Sequence, residues 1–323
     1  MKKIALFTSG GDAPGMNACI RSVVRSAIYL DLEVYGIKYG YDGMIRGEIS
    51  KMESHSVSNI VQTGGTILKS ARSEDFRTKE GREKAYKNLK KHGIEGLVAI
   101  GGDGTFTGAN LFYDEFGIPV IGAPGTIDND LYGSDYTIGF DTAVNTALDA
   151  IDKIRDTAAS HDRVFFIEVM GRHSGYIAIQ SGIGGGAEMI MVPETSTTIE
   201  DVINKLREGR DNKKGSAIIV VAEGDEQGSA LQIAERVKVE TPKMDIRVTS
   251  LGHIQRGGGP TAFDRILASR LGLAAVEGLM NGEKNVMVGV IDNKITYTNL
   301  KLAISKSKPL NEELIRLTKI LST

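Results

Sequence analysis

The sequence predicts an α/β fold of two Rossmann-like three-layer domains with mainly parallel sheets. Short apolar runs that end in glycine alternate with longer stretches of helical period, which is typical of parallel strands joined by helices. The length of 323 residues corresponds to about two domains. Glycine is enriched at 39 residues and proline is scarce at 7, so the glycine excess belongs to particular loops and not to a low-complexity segment.

The first strand, loop and helix show this pattern most clearly. Lys3 to Phe7 is predicted as a buried strand, a loop over 8–15 follows, and apolar residues then recur at helical spacing from Met16 to Ile28. Arg21 and Arg25 lie four residues apart and off the apolar stripe. Both are therefore expected on one exposed side of this helix.

Later strands are predicted wherever an apolar run precedes a loop. They cover 97–100, 119–122, 164–169, 189–192, 217–222 and 248–251. Three clear helices lie between or after them, over 142–159, 198–208 and 261–280. For the second of these helices, Thr197 and Glu200 are expected to form a capping box.

The composition argues against several classes of partner. The formal net charge of -2 gives no electrostatic reason to expect nucleic acid or an acidic membrane surface. The single Cys19 cannot form an internal disulfide, in keeping with a reducing compartment. The apolar runs are too short to span a bilayer, and the run over 4–7 is too short for a signal peptide, so a cytoplasmic protein is expected.

Two glycine-rich loops after predicted strands suit phosphate binding. They are TSGGDAPG over 8–15 and GGDGT over 101–105. At the carboxyl end of a parallel strand, backbone N–H groups and a helix dipole favour anions, and glycine lets a phosphate approach closely. Tight turns alone would explain either loop equally well. Thr107 replaces a glycine of the dinucleotide fingerprint, and Leu68 replaces the glycine before Lys69-Ser70 of a P-loop, so neither fingerprint is present.

Two acidic segments suggest a metal ion and a general base. Asp103 places a carboxylate inside a phosphate-type loop, where Mg²⁺ could sit between the carboxylate and a phosphate. The alternative is a side-chain turn that shapes the loop. PGTIDND over 124–130 follows a strand and could place a carboxylate to take a proton from a hydroxyl. An Asx turn with a helix cap is the alternative there.

Arginine residues beside glycines could bind phosphate groups. Arg172 in MGR and Arg256 in LGHIQRGG have neighbours without side-chain bulk, which suits a bidentate grip on a phosphate. Further cations in comparable positions are Arg72, Arg163, Arg247 and His253. A solvated surface charge is the alternative for each of them.

Together these segments resemble the bacterial ATP-dependent 6-phosphofructokinases over nearly the whole chain. The likeness rests on TSGGDAPGMN, GGDGT, PGTIDND, MGR and LGHIQRGG, in that order. GGDGT is shared with lipid and NAD kinases, whereas PGTIDND together with LGHIQRGG is highly specific. The resemblance implies a phosphofructokinase-type fold, phosphorylation of fructose 6-phosphate at O1 by MgATP, and a homotetramer. It also implies a larger ATP-binding domain over 1–139 plus 256–304 and a smaller fructose 6-phosphate-binding domain over 140–255 plus 305–323.

The resemblance also implies a role for individual residues. The ATP contacts would be Gly11, Arg72, Ser73, Gly102, Asp103, Gly104 and Thr105, with Mg²⁺ on Asp103. Asp128 would deprotonate the 1-hydroxyl with support from Thr126 and Asp130, while Arg172 and Arg72 would stabilise the transferring phosphoryl group. The sugar phosphate would be bound by Thr126, Asp128, Met170, Gly171, Arg172, Glu223, His253 and Arg256, and by Arg163 and Arg247 of a neighbouring subunit.

An effector site for ADP or phosphoenolpyruvate is implied as well. It would draw on Arg21, Arg25, Arg155, Gly186, Lys213 and Lys214, with a second metal at Glu188. Departures from the family pattern are concentrated near this site and the ATP loop. They are Asn59 and Tyr176, where aspartate is common, Gly215 in place of a basic residue, and Lys69 as an added charge.

The resemblance favours ATP as the phosphoryl donor. Pyrophosphate-dependent relatives typically carry aspartate at the position of Gly104 and lysine at that of Gly125. A pyrophosphate-dependent enzyme, another GGDGT kinase such as an NAD kinase, and a non-catalytic nucleotide or sugar-phosphate sensor are the alternatives. LGHIQRGG argues against the NAD kinase, and the joint presence of Asp103, Asp128 and Arg172 argues against the sensor.

Overall fold

The computed structural model describes residues 1–212 and 214–321, which divide into two compact units. Unit 1 contains Met1–Thr126, Leu131–Asp141 and Arg256–Lys308. Unit 2 contains Ile127–Asp130, Thr142–Gln255 and the described residues from Pro309 onward. The predicted divisions after residues 139, 255 and 304 fall after 141, 255 and 308 here, and the short segment 127–130 groups with unit 2.

Strands and helices alternate along most of the described chain. The strands are β1 (Lys3–Thr8), β2 (Glu33–Ile37), β3 (Ile49–Met52), β4 (Gly96–Gly101), β5 (Val120–Pro124), β6 (Val164–Val169), β7 (Met189–Met191), β8 (Ala217–Ala222), β9 (Ile246–Ser250), β10 (Val286–Ile291) and β11 (Lys294–Asn299). The helices are α1 (Met16–Tyr29), α2 (Gly40–Arg46), α3 (Lys79–His92), α4 (Asp103–Phe116), α5 (Phe140–His161), α6 (Tyr176–Gly184), α7 (Ile199–Asp211), α8 (Ala230–Glu240), α9 (Ala262–Met280), α10 (Leu300–Ser305) and α11 (Glu312–Leu321). Short 3₁₀ helices cover Ser54–Val57, Asp75–Arg77 and Gly252–Arg256.

Unit 1 is built on a seven-stranded sheet in the order β11-β10-β5-β4-β1-β2-β3. The sheet is parallel except at its two edges, where β3 runs antiparallel to β2 and β11 runs antiparallel to β10. Phe7 and Leu97 on the strands pack in one core with Phe106 and Phe112 of α4. The chain leaves β1 for β2 on one side and returns to β4 on the other. This topological switch point favours ligand binding at the carboxyl ends of β1 and β4.

Unit 2 is built on a four-stranded parallel sheet in the order β7-β8-β6-β9. Phe166 on β6 and Val221 on β8 pack with Val202 of α7 and Ile233 of α8. β6 therefore lies between β8 and β9, and the carboxyl ends of these three strands form one edge. Together the two sheets confirm the predicted α/β class with mainly parallel strands.

Most predicted elements are confirmed, and three local predictions are wrong. Thr198, not Thr197, caps α7, because it is the last extended residue: its Oγ1 accepts from the amide of Asp201 at 3.2 Å. The strand predicted over 248–251 instead runs over Ile246–Ser250. The exposed Arg247 interrupts the apolar run, so the start of the strand was predicted too late. Ile28 ends the apolar stripe predicted for α1, but it is exposed in the last turn of that helix, next to the exposed Tyr29.

No helix in the described ranges combines the length and apolar character needed to cross a membrane.

Candidate active site

Three loops at the carboxyl ends of β1, β4 and β5 are tied together in unit 1. The amide of Ser9 donates to the carbonyl of Ile100 at 3.0 Å, and Thr105 Oγ1 donates back to the carbonyl of Ser9 at 3.0 Å. The amide of Gly125 donates to the carbonyl of Gly101 at 2.9 Å. These hydrogen bonds fix the loop after β4 against the loops on either side of it.

The loop after β4 leaves open space beside Gly104. Asp103 is exposed at the first position of α4. A methyl group added at Gly104 would meet no atom within 4 Å, whereas one added at Gly101 would lie 2.5 Å from the carbonyl oxygen of Ser9. Gly101 is therefore required by packing within the protein. Gly104 instead leaves space that a bound group could fill.

The segment that carries Arg72 and Ser73 is fastened to the loop after β1. Thr8 Oγ1 donates to the carbonyl of Lys69 at 2.8 Å, and Ser70 Oγ donates to the carbonyl of Gly10 at 2.6 Å. Arg72 is exposed close behind these contacts in the chain, and Ser73 Oγ accepts from the amide of Phe76 at 3.3 Å. Arg72 and Ser73 therefore follow in the chain directly after the contacts that fasten their segment to the loop after β1.

Asn17 organises the start of the same segment. Its side chain is 2% exposed; Nδ2 donates to Thr63 Oγ1 at 2.9 Å and to the carbonyl of Gly64 at 3.1 Å, while Oδ1 accepts from the amide of Ile67 at 2.8 Å. Asn17 was not predicted as an individual site residue. Its signal was a polar residue inside the apolar first turn of α1.

Tyr41 supports the loop after β4, and Arg82 supports Phe76, which packs on Tyr41; neither residue was singled out from the sequence. The Tyr41 hydroxyl donates to the carbonyl of Thr105 at 2.5 Å, and its ring stacks on Phe76 with centroids 3.9 Å apart. Arg82 donates to the carbonyl of Phe76 at 2.9 Å and pairs with Glu115 through Nη2 at 2.6 Å. The Arg82 guanidinium lowers the pKa of Glu115, so the pair is ionised at neutral pH.

In unit 2 the second group of predicted residues lies at the carboxyl ends of β6, β8 and β9. The amide of Arg172, after β6, donates to Glu223 Oε1, after β8, at 2.8 Å. The amide of Met170 donates to Gln255 Oε1 in the segment after β9 at 3.3 Å. Hydrogen bonds thus fasten the segments after β8 and β9 to MGR. His253 is exposed in the 3₁₀ helix that follows β9.

Asp128 lies in the same unit as Arg172. Its side chain is 4% exposed, and its carbonyl accepts from Ser174 Oγ at 3.0 Å. Ser174 belongs to the turn that follows Arg172, where its amide donates to the carbonyl of Gly171 at 2.9 Å. One serine therefore ties PGTIDND to MGR. Asp130 is half-buried two residues farther on.

Arg163 and Arg247 lie at the opposite edge of the unit 2 sheet. They border the amino ends of β6 and β9, and both bind Asp245: Arg163 Nε lies 2.7 Å from Oδ2 and Arg247 Nε lies 3.0 Å from Oδ1. The hydrogen bond from Arg163 is the main cause that lowers the pKa of Asp245. Within one chain these arginines are not brought to His253, which follows the carboxyl end of β9.

Part of the predicted effector group comes together in unit 2. Arg155 donates through Nη2 to the carbonyl of Gly186 at 2.7 Å, and its Nη1 lies 3.8 Å from Glu188 Oε1. Glu188 and Lys214 line one cavity of about 700 Å³. Lys213 lies outside the described residues. Arg21 is half-buried and Arg25 is exposed on α1 of unit 1, and neither belongs to the buried residues of that helix.

Three departures from the family pattern have local structural roles. A methyl group at Gly215 would lie 1.9 Å from Asp162 Oδ1, so a side chain there requires the Asp162 side chain to move. The Tyr176 hydroxyl donates to the carbonyl of Pro309 at 2.6 Å. Asn59 has φ 56°, a left-handed conformation that asparagine tolerates better than most residues.

Arg256 begins the last segment of unit 1, whereas His253 belongs to unit 2. The Arg256 guanidinium packs on Gly11: a methyl group added there would lie 2.5 Å from Nη1 and 3.0 Å from Cζ. The structure therefore places Arg256 against the loop after β1.

The donor set for a metal ion is small. In the described part of the chain, no cluster of three or more His, Cys, Asp or Glu side chains could hold a metal ion. Asp103 offers one exposed carboxylate beside the open space at Gly104. This fits Mg²⁺ that arrives with nucleotide phosphates, since such an ion needs only one or two carboxylates.

Known proteins resemble this chain along most of its length. Residues 3–279 match the phosphofructokinase family. The chain is 63% identical over 322 residues to the ATP-dependent 6-phosphofructokinase of Cytophaga hutchinsonii, covering 100% of this chain and 98% of that protein. It is 59% identical over 322 residues to ATP-dependent 6-phosphofructokinase 1 of Thermus thermophilus, covering 100% of both.

Solved structures of similar fold include other phosphofructokinases. The Saccharomyces cerevisiae phosphofructokinase has a TM-score of 0.88 and 34% identity; the alignment covers 99% of this chain and 45% of the yeast chain. A pyrophosphate-dependent phosphofructokinase from Marinobacter aquaeolei has a TM-score of 0.86 at 23% identity, covering 99% of this chain and 91% of that one, a likeness of fold alone. From the family match and the full-length relatives it follows that the chain belongs to the phosphofructokinase family.

Proposed function

We propose that the protein transfers the terminal phosphoryl group of ATP to O1 of fructose 6-phosphate, giving fructose 1,6-bisphosphate and ADP. The observation that carries the proposal is the joining of the two glycine loops, 8–15 and 101–105, at the switch point of the unit 1 sheet. Relatives that are 52% to 63% identical over the full chain are named ATP-dependent 6-phosphofructokinases. Full-length identity at this level supports the same reaction here.

Two glycines favour ATP over pyrophosphate. Gly104 borders open space, so the α-phosphate region of a bound ATP would meet no side chain there. A methyl group at Gly125 would lie 3.0 Å from Met16 Cε and 3.1 Å from Ile100 Cγ2, so the lysine typical of pyrophosphate-dependent relatives would not fit without a shift. Both positions therefore support a nucleotide donor.

Asp103 is the residue that would hold Mg²⁺, which would neutralise charge on the nucleotide phosphates when bound. Gly11, Gly102, Gly104 and Thr105 bring backbone close to those phosphates. Arg72 and Ser73 come from the segment fastened by Thr8 and Ser70. Phosphoryl transfer needs positioning and charge neutralisation and no covalent intermediate, so this set of groups is sufficient on the nucleotide side.

On the sugar side, Asp128 is assigned as the general base that takes the proton from O1. Its backbone is held to MGR through Ser174, which supports a fixed position. Arg172 would stabilise charge on the transferring phosphoryl group, as would Arg72. Supporting and sugar-phosphate contacts are assigned to Thr126, Asp130, Met170, Gly171, Glu223, His253 and Arg256.

Oligomer and regulation complete the proposal. Arg163 and Arg247 share Asp245 at the far edge of the unit 2 sheet, which supports their serving the sugar phosphate of a neighbouring subunit in a homotetramer. The group Arg155, Gly186 and Glu188 supports an ADP or phosphoenolpyruvate site, to which Arg21, Arg25, Lys213 and Lys214 would contribute. The net charge of -2 is compatible with a cytoplasmic enzyme that acts on small anionic substrates. It does not favour nucleic acid or a membrane as a partner.

A coupled assay tests the proposed reaction. Purified protein receives fructose 6-phosphate with either MgATP or magnesium pyrophosphate, and NAD with MgATP in a third reaction. The proposal requires fructose 1,6-bisphosphate from the first reaction and little product from the other two. Fructose 1,6-bisphosphate formed from pyrophosphate alone would favour a pyrophosphate-dependent enzyme. Phosphorylation of NAD would favour an NAD kinase, and binding of the substrates without turnover would favour a sensor.

A further inference from the structure

Arg256 is built into the nucleotide side of unit 1. Its guanidinium covers Gly11 so closely that an added methyl group would lie 2.5 Å from Nη1 and 3.3 Å from Nη2. Gly11 is exposed, and the loop that carries it is bonded to Ser70 and, through Ser9, to Thr105. The charge of Arg256 therefore lies at the loop that also meets the Arg72 and Asp103 segments.

The backbone after Arg256 holds this placement. A methyl group at Gly64 would lie 2.2 Å from the carbonyl oxygen of Gly258, so the two backbones touch. Gly64 is itself fixed by Asn17, which donates to its carbonyl at 3.1 Å. Arg256 thus extends from a chain segment that is packed against the nucleotide loops, and its position over Gly11 is not that of a loose surface side chain.

Among the residues that the structure describes, no carboxylate forms an ion pair with the Arg256 guanidinium. Its Nε is buried and makes no hydrogen bond with any described residue. The ion pairs of the described chain involve other arginines, such as Arg82 and Arg163, and leave Arg256 out. A buried guanidinium N–H without an acceptor is unfavourable, and phosphate oxygens are its best-matched acceptors.

We propose that Arg256 binds the terminal phosphates of the nucleotide, in addition to the sugar-phosphate role that the resemblance implies. This inference rests on the proposed function, because it assigns the donor as a nucleoside triphosphate. The contact with Gly11 places the guanidinium where the loop after β1 would receive the β- and γ-phosphates. Arg256 then contributes to donor affinity even when no sugar phosphate is present.

Nucleotide binding without sugar phosphate separates the two roles of Arg256. The probe is the magnesium complex of AMP-PNP, measured by calorimetry on wild-type protein, Arg256→Gln, Arg256→Lys and His253→Ala. His253→Ala is the matched control, because the resemblance gives both residues the same sugar-phosphate role. Arg256→Gln is expected to raise the Kd for AMP-PNP about tenfold or more, and His253→Ala to leave it near the wild-type value. Arg256→Lys is expected to fall between them.

AMP serves as a second probe, because it lacks the β- and γ-phosphates. Its affinity is expected to be the same in wild type and Arg256→Gln. An unchanged Kd for AMP-PNP in Arg256→Gln would overturn the inference, and so would an equal loss for AMP-PNP and AMP, which would indicate a distorted pocket. Wild-type protein that binds AMP-PNP and forms fructose 1,6-bisphosphate keeps the proposed function intact in either case; a wild type that does neither overturns both.

Discussion

The amide of Arg172 donates a 2.8 Å hydrogen bond to Glu223 Oε1, joining the ends of two adjacent strands. Arg172 has φ 55°, a left-handed conformation that is uncommon for a residue with a side chain. Such a conformation persists only where surrounding contacts hold it. Glu223 supplies one of these contacts, so it has a positioning role for Arg172 beside the sugar contact assigned to it.

Replacing Glu223 separates these two roles. Glu223→Gln keeps an oxygen that can accept from the Arg172 amide, whereas Glu223→Ala removes it. We expect kcat to fall more in the alanine variant, by roughly tenfold relative to the glutamine variant, because the arginine at the transferring group loses its fixed backbone. Steady-state kinetics with both substrates varied provide the measurement. Equal kcat values for the two variants would remove the positioning role.

The Asp245 carboxylate is expected to position Arg163 and Arg247 for the sugar phosphate. Its pKa is lowered by Arg163, so it is ionised throughout the neutral range and the two ion pairs weaken only in strong acid. Asp245→Asn should raise KM for fructose 6-phosphate roughly 2- to 5-fold and leave KM for ATP unchanged. Asp152→Asn, an exposed carboxylate on α5, is the control. A selective rise in KM for ATP would contradict the assignment.

Asp225 is expected to destabilise the fold at neutral pH. It is 8% exposed, and burial is the main cause that raises its pKa. Because the folded state then holds the proton more tightly than the unfolded state, stability falls as pH rises from the ordinary carboxyl range through the raised pKa. Asp225→Asn keeps an acceptor for the amide of Gln227, which donates to Oδ1 at 2.9 Å. The Tm of Asp225→Asn should exceed that of wild type at about pH 7, and the difference should shrink toward about pH 3. A difference in Tm that does not change with pH would disprove the prediction.

Arg155 is expected to be needed for a response to ADP. It holds the carbonyls of Gly185 and Gly186, and Glu188 lies 3.8 Å away. Arg155→Ala should abolish most of the change in rate that ADP produces in wild type. The variant loses both the hydrogen bonds that hold the loop at Gly185 and Gly186 and a guanidinium that would bind a phosphate of ADP. Lys153→Ala, exposed on the same helix and paired with Asp149, is the control. An ADP response equal to wild type in Arg155→Ala would rule out this effector site.

The sequence was most informative for two strands that are buried along nearly their whole length. β6 and β8 are buried apolar runs, and both were predicted with their observed bounds, 164–169 and 217–222. Four strands of unit 1 were not predicted: β2, β3, β10 and β11. The edge strands β3 and β11 are polar and lack the apolar run of a buried parallel strand, whereas the buried apolar run of β10 was a usable signal. The turn between β10 and β11 uses Asp292 and Asn293, both at positive φ, which was a usable hairpin signal.

The candidate site was predictable as motifs but not as contacts. Glycine loops and acids mark the ends of buried strands, so the predicted residues after β1, β4, β6 and β8 lie at strand ends as expected. The packing of Arg256 on Gly11 joins residues that are far apart in the chain, and nothing local in LGHIQRGG encodes it. Asn17, Tyr41 and Arg82 act on backbone carbonyls of other segments, which a pattern of residue types does not reveal.

The most direct test of the account is the turnover of Asp128→Asn with fructose 6-phosphate and MgATP. Asparagine has nearly the shape of aspartate but cannot take the proton from O1, so the assigned base is removed with little change in volume. We expect kcat to fall by about 10²-fold or more, while KM for both substrates changes much less. Near-wild-type kcat in this variant would contradict the assignment of Asp128 and with it the proposed mechanism.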